Sequence, residues 1–355
     1  MKKAKTFLIL LCVAVIYFLG WLAEHLSGTN SMLVTVLQKG AVYALIAVSM
    51  NLLNGFTGLF SLGQAGFMLV GAYTYAVLTI PMAKRAAVYQ YYDGGWVQFT
   101  IGFLPALIAA GAVAAVFAAL IGLPVLRLKG DYLAIATLGF AEIIRAIVQW
   151  DAIGPLTNGS NLLKTYPTLK TVMPGNTVLF TFIVVGICVG LILLLINSTY
   201  GRAFKAIRDD EIAAEAMGIN LFHHKELAFT ISSFFAGIGG ALLAMYQSSL
   251  QANSFKSSMT YEILLIVVIG GLGSVSGSVI ASFLFIACSE WWLRFLDSQT
   301  FIGDFQVPLL SPGFRMVVFS VVIMLVVLFF RRGIMGDREL WEIGRRRGAK
   351  GGQVK

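Results

Sequence analysis

Apolar residues run in stretches of about twenty along almost the whole chain. They lie at about 6–22, 33–53, 63–81, 100–126, 132–150, 177–197, 226–247, 261–293 and 313–331. A helix rises about 1.5 Å per residue, so roughly twenty apolar residues cross the hydrocarbon core of a bilayer. In lipid the backbone must satisfy its own N–H and C=O groups, which a helix does within one segment. The pattern therefore predicts an all-α, polytopic integral membrane protein. Composition agrees: 58% of the residues are hydrophobic and only 12% are charged, about half the roughly 25% of a soluble protein. Too little charge is left to cover a water-facing surface. That excludes a soluble enzyme, a nucleic-acid binder and a disordered chain.

The position of the charges sets the topology. Basic residues favour the cytoplasmic side, and three clusters stand out: Lys2/Lys3/Lys5, the segment Arg202 to Lys225, and the tail from Arg331 to Lys355. If all three are cytoplasmic, an even number of crossings separates each from the next. Six runs precede residue 199. Three follow, and the longest, 261–293, is interrupted by Gly270, Gly271, Gly273, Ser274, Ser276 and Gly277. Splitting it there gives four, hence ten crossings, or eight if the glycine breaks are re-entrant turns. With Arg127 and Lys129 also inside, 17 of the 26 basic residues fall on cytoplasmic segments, so the net charge of +9 is a topology signal. Lys84 and Arg85 fall on the outer side, against the rule. Residues 1–336 form one transmembrane domain and 337–355 a basic cytoplasmic tail, read as a topology anchor or as a contact for anionic lipid headgroups. The run after Lys5 lacks a nearby small-x-small cleavage pattern and reads as a retained first span.

Few polar residues lie within the runs. Residues 54–66 cluster Gly55, Gly58, Gly63 and Gly66 with Asn54, Ser61 and Gln64. This suggests non-helical backbone at membrane depth, tolerated where it is buried in protein or lines a watery cavity. Asn51, Asn54 and Gln64 either line a translocation path or satisfy backbone freed at the break. Glu142 and Arg145, three apart, share a helix face and read as a structural ion pair or a path element. Lys39 is expected to snorkel to the interface. Glu262 reads as interfacial, and Glu290 with Trp291 and Trp292 as an anchor belt. His25, His223 and His224 lack metal-ligand spacing, and Cys12, Cys188 and Cys288 sit singly in apolar runs. No catalytic constellation and no phosphate-cradling G-x-x-x-x-G-K-[ST] loop occur, so any ATP hydrolysis belongs to another chain.

The one long polar interruption in the middle of the chain is 199–225, TYGRAFKAIRDDEIAAEAMGINLFHHK. Asp209, Asp210 and Glu211 read as a helix cap and acidic first turn, and Gly218 as a helix-ending glycine. The short alanine-rich helix between them is either a solvated loop element or a docking helix that a partner can approach closely.

These residues also carry a family resemblance. GRAFKAIRDDEIAAEAMGIN resembles the cytoplasmic coupling motif of bacterial ABC-importer permeases, specifically the branched-chain amino acid (leucine/isoleucine/valine) family. The blocks NLLNGFTGLFSLGQAGFMLVGAY at 51–73, LRLKGDYLAIATLGFAEIIRAIV at 126–148, IVVIGGLGSVSGSVIASF at 266–283 and FRMVVFSVVIMLVVLFFRRGIMG at 314–336 are similar to the same family in the same order. The KGDYLAIATLGF block is closest to its M-type subunit. Residues 154–161, GPLTNGSN, depart from the family's Gly-rich outer loop. The resemblance implies a plasma (inner) membrane permease with cytoplasmic termini that moves branched-chain amino acids inward by alternating access. It implies a homologous second permease, two cytoplasmic ATPases that bind ATP and magnesium, and an extracytoplasmic substrate-binding protein. This chain would then be no enzyme and hold no cofactor. Arg208, Asp209, Asp210, Glu211, Ala213, Ala214, Glu215 and Gly218 would sit in the ATPase groove. A urea or short-amide importer permease of the same group, or a stand-alone secondary transporter, are the alternatives.

Overall fold

The computed structural model describes residues 32–92, 95–128 and 130–293, together with 301–302, 305–306, 317–318, 320–321, 324, 328, 333–336 and 339. The expected first span at 6–22, most of the last at 313–331 and the basic tail other than Glu339 lie outside the described residues.

Regular structure among the described residues is helical apart from a two-residue antiparallel pairing of Phe301–Ile302 with Phe305–Gln306 and an isolated bridge between Leu163 and Leu250. Helix α1, Met32–Asn51, runs on as a π-helical turn, Leu52–Phe56. Residues 57–63 are non-helical, as their glycines suggest, and α2 follows at Gln64–Thr79. Next come the short α3 (Met82–Val88), α4 (Phe103–Val125), α5 (Asp131–Gln149) and α6 (Thr177–Asn197). The polar interruption forms α7 (Thr199–Asp209) and α8 (Glu211–Ala216), then α9 spans Leu221–Gln247. The long apolar run is two helices: α10 (Ser257–Gly270) and α11 (Val275–Ile286), the latter extended by a π-helical turn, Ala287–Trp292. The break falls at the glycines that the sequence marked. Gly271 and Gly273 take φ of +114° and +88°, a region that residues with a Cβ avoid.

Five described helices are long and apolar enough to cross a membrane: α1 with its π turn, α4, α6, α9, and α11 with its π turn. A sixth counts if α5 is joined across a 62° bend to Asp151–Thr157. With 16 and 14 residues, α2 and α10 are shorter than a full crossing, and each adjoins one of the glycine breaks.

The core sits on α9 and α1. Within their apolar windows 78% and 72% of residues are buried, against 33% for α6, so α6 forms the rim. Helix α9 packs on α1, α2 and α4. Its contact with α2 leaves no room for side chains: a Cβ on Gly71 would overlap the backbone of Gly237, and one on Gly240 would overlap that of Met68. Lipid gives helices no hydrophobic drive to associate, so close backbone packing of small residues supplies the attraction. Phe67 and Phe229 meet edge to face beside this contact, centroids 5.4 Å apart.

Helices α1 and α11 pack antiparallel. Asn51 touches Ser278 and Lys39 touches Glu290. Each pair lies twelve residues further along its helix, about 18 Å. These contacts mark two ends of the bundle: a break end, holding residues 52–63 and 271–274, and a charge end around Lys39.

Arg85, the exception to the charge rule, is no solvated charge. It is 5% exposed, and its guanidinium donates to the carbonyls of Ile80 (3.2 Å), Val77 (3.1 Å) and Phe99 (2.6 Å). It caps the C-terminus of α2, where carbonyls lack helical partners and a cation is favoured.

Candidate functional site

At the break end, three segments distant in sequence meet. Asn51 is fully buried. Its Nδ2 donates to the carbonyls of Gly271 (3.3 Å) and Ser274 (2.9 Å) and to Ser278 Oγ (2.8 Å), and its Oδ1 accepts from Gly273 N at 2.9 Å. The other polar residues of the first break are also satisfied internally. Asn54 pairs with the backbone of Ser61 in both directions, and Gln64 donates to Ser49 Oγ at 2.7 Å. Asn51 and Asn54 thus satisfy backbone groups at the breaks, whereas Gln64 meets the Ser49 hydroxyl.

The 199–225 segment is fastened to the same end. Arg208 Nη1 donates to the carbonyl of Gly55 at 3.1 Å, inside the π turn. A Cβ on Gly58 would meet Arg208 Cγ at 3.0 Å, so glycine lets the arginine lie against the chain. Asp210 caps α8 as expected: its Oδ1 accepts from Ile212 N at 2.8 Å and Ala213 N at 3.1 Å. Glu211 pairs with Lys225 at 2.7 Å, tying α8 to the start of α9. Gly218 takes φ +85°, with its N–H on Glu215 O, the helix-ending role read from sequence. Among the eight residues singled out there, Ala214 is buried at 4% and turned inward. The outward face carries Ala213, Glu215 and Gly218, and also Ile212 and Met217, which are 81% and 83% exposed. Exposed apolar side chains in a polar loop were the signal available for these two.

The chain's end returns to this place. Ile334 N and Met335 N donate to the carbonyls of Ile269 (2.7 Å) and Gly270 (3.2 Å). The Glu339 carboxylate accepts from Val275 N (2.8 Å), Ser276 N (3.1 Å) and Ser276 Oγ (2.5 Å). It thereby caps α11 from outside the helix, where negative charge is favoured. On the flank, Glu142 caps α10 in the same way, accepting from Ser257 N at 3.2 Å and from Ser257 Oγ. Arg145 pairs with Glu142 at 2.6 Å and reaches Gln149 and Asn253. The i,i+3 pair read from sequence is present, and it fixes a helix start.

At the charge end, Lys39 Nζ lies 2.5 Å from Glu290 Oε1 and 5.7 Å from the centre of the Tyr43 ring. The structure adds a partner to each residue read as interfacial: Lys39 and Glu290 pair with one another. Glu262 interacts electrostatically with both. The 251 positions between Lys39 and Glu290 left no local signal for this pairing. An apolar cavity of about 370 Å³ opens between α2, α4 and α5, lined by residues that include Val70, Tyr73, Val77, Phe117, Ile144 and Val148. It has no charged lining, and so offers nothing to the ionised ends of a polar solute.

A family model described as the permease component of branched-chain amino acid transport systems matches residues 32–328. This chain belongs to that family. Among permeases of the family, it is 32% identical to the high-affinity branched-chain amino acid transport system permease protein LivM of Escherichia coli (strain K12), over 86% of this chain and 72% of that one. It is 33% identical to the LivM protein of Salmonella typhimurium over 75% and 65%. Against the LivH permease of Escherichia coli (strain K12) identity falls to 23%, over 86% and 94%, so the chain is nearer the M type. No solved structure matches it. The family assignment covers the break end, α7, α8 and the charge end together.

Proposed function

We propose that this chain is the membrane-spanning permease subunit of an ATP-driven importer, which carries branched-chain amino acids inward by alternating access. It works beside a homologous second permease, above two cytoplasmic ATPases that bind ATP and magnesium, and receives substrate from an extracytoplasmic binding protein. It sits in the plasma membrane of a bacterium with both termini cytoplasmic. In this reading α10 and α11 each cross, and with α2, the run at 6–22 and the run at 313–331 the crossings number ten.

One observation carries the reading: α8 is fastened at its base, yet Ile212 on it and Met217 just past its end are largely exposed. A cap at Asp210 and an ion pair at Glu211 give it a fixed pose, and an exposed apolar patch on such an element marks a docking surface. Arg208 passes any tilt of α7 and α8 to the Gly55 carbonyl, and so to the break where α1 meets α11. Closure of the ATPases would then move the two glycine breaks, the places where the helices bend most easily.

The test uses Ile212→Arg and Met217→Arg, which touch no internal contact. In the reconstituted importer these should abolish leucine-stimulated ATP hydrolysis while the permease pair still folds. Unchanged stimulation would refute the docking role. Stimulation by urea and not by leucine would refute the substrate.

A further inference from the structure

The seam between α4 and α9 holds a carboxyl group that neither packing nor pairing accounts for. The two helices run antiparallel: from Gly122 back to Gly111 along α4, the facing residues advance from Glu226 to Phe234 and Ile238 along α9. The α4 side is smooth, with Ala110, Ala114, Ala118 and Gly122 all buried in one line. The Glu226 side chain folds into this seam. Both its carboxyl oxygens are closed to solvent, although the rest of the residue is half-exposed. Neither oxygen has a hydrogen-bond partner among the described residues. Gly122 makes the room. A Cβ there would meet Glu226 Oε2, Oε1 (2.8 Å) and Cδ (2.9 Å), its three nearest neighbours all belonging to that one carboxyl group.

Among the described residues no charge stands by to balance it. Helices α2 and α4 and the π turn after α1 carry no acidic, basic or histidine residue, and Lys39 of α1 belongs to the charge end. Lys225 is taken by Glu211 of α8, and His224 turns to Tyr200 and Phe204 of α7. Arg208 lies on Gly55 and Asp209, and Lys205 over the Phe56 ring. Arg202, Glu215, His223, Arg127 and Asp131 are exposed. None of these interacts electrostatically with Glu226. An ionised carboxylate is costly to bury without a partner or water, and such a group takes up a proton instead. A proton is also small enough to reach oxygens that are closed to water.

We propose that Glu226 is a proton-binding site, which carries a proton while α4 and α9 are closed on it and releases it when the seam parts. Acid then holds the seam shut, and alkali favours its opening. The turn of α9 that carries Glu226 also carries Lys225, the anchor of α8. Protonation therefore acts on the turn that fastens α8. The site itself stands without the importer reading; only its effect on ATPase coupling rests on that reading.

The experiment uses the full chain reconstituted in lipid, and compares infrared spectra of parent and variants at neutral pH, where exposed carboxyls are ionised. Glu226→Gln should remove a carboxylic acid C=O band. Loss of carboxylate bands alone overturns the proposal. Gly122→Ala keeps Glu226 and displaces only the end of its flexible side chain. In this variant the carboxylic acid band should give way to carboxylate bands. A band left unchanged overturns the proposal. The link to the seam is read by hydrogen exchange from Ala118 to Leu126. The ratio of parent to Glu226→Gln cancels the intrinsic pH dependence of exchange. It should rise by up to roughly tenfold per pH unit, since each opening releases one proton. A flat ratio overturns the pH-dependent closure. If Glu226→Gln does not fold, Gly122→Ala takes its place as the reference and decides both points.

Discussion

Replacing Asn51 by alanine should destabilise the chain by about 2–4 kcal/mol. The side chain makes four hydrogen bonds to the 271–278 segment, but their loss is not equal. Gly273 N–H donates to Asn51 Oδ1, and in a buried site its loss strands a donor, at about 1–3 kcal/mol. The two carbonyls keep other partners: Gly271 O accepts from Ser274 N, and Ser274 O from Ser278 N and Oγ. Their share is the smaller net value of an ordinary hydrogen bond, about 1 kcal/mol in all. Asn51→Asp is the sharper probe. It keeps the acceptor for Gly273 but turns a second oxygen towards the carbonyls of Gly271 and Ser274, with a charge to bury. It should cost at least as much as alanine. The assay is thermal unfolding in detergent, where a loss of this size lowers Tm by roughly 4–10 °C, with leucine uptake measured per folded molecule in parallel. If both variants unfold within a degree of the parent while uptake changes, Asn51 lines the path, and the reasoning from its buried contacts is wrong.

Arg85→Ala should lower thermal stability by about 2–3 kcal/mol, because a buried charged donor to three carbonyls is lost; Arg85→Lys, without the planar fork, should recover only part of it. Gly71→Val should prevent α2 from reaching α9 and be seen as loss of a monodisperse peak on size exclusion, since the new side chain meets backbone that cannot yield. Glu339→Ala removes the external cap of α11 and should cost about 1 kcal/mol, read by faster hydrogen exchange at Val275 and Ser276. Asp210→Ala should cost a similar amount, confined to α8, and reduce leucine-stimulated ATP hydrolysis without unfolding the bundle.

Among the described residues, the long apolar helices, their approximate ends and both glycine breaks were legible in the sequence. Crossing lipid demands about twenty apolar residues, and glycine clusters interrupt a helix locally, so these features are written in consecutive residues. The cap at Asp210 and the glycine stop at Gly218 were legible for the same reason. The partners of the polar residues were not. Lys39 and Glu290 are 251 positions apart, Glu142 and Ser257 are 115 apart, and Arg85 finds its carbonyls only once the chain folds back on α2. Lys39 and Glu290 looked interfacial, Arg85 looked like a charge on the wrong side, and Glu142 was matched to Arg145 but not to Ser257, because helical periodicity describes a face but not what meets it. The sequence by itself determined the solvent, the helical class and the two glycine breaks, but not the 62° bend after α5. Which charges meet across the bundle was decided by packing, since ion pairs depend on distance in space, and neighbouring helices bring together residues that no local pattern relates.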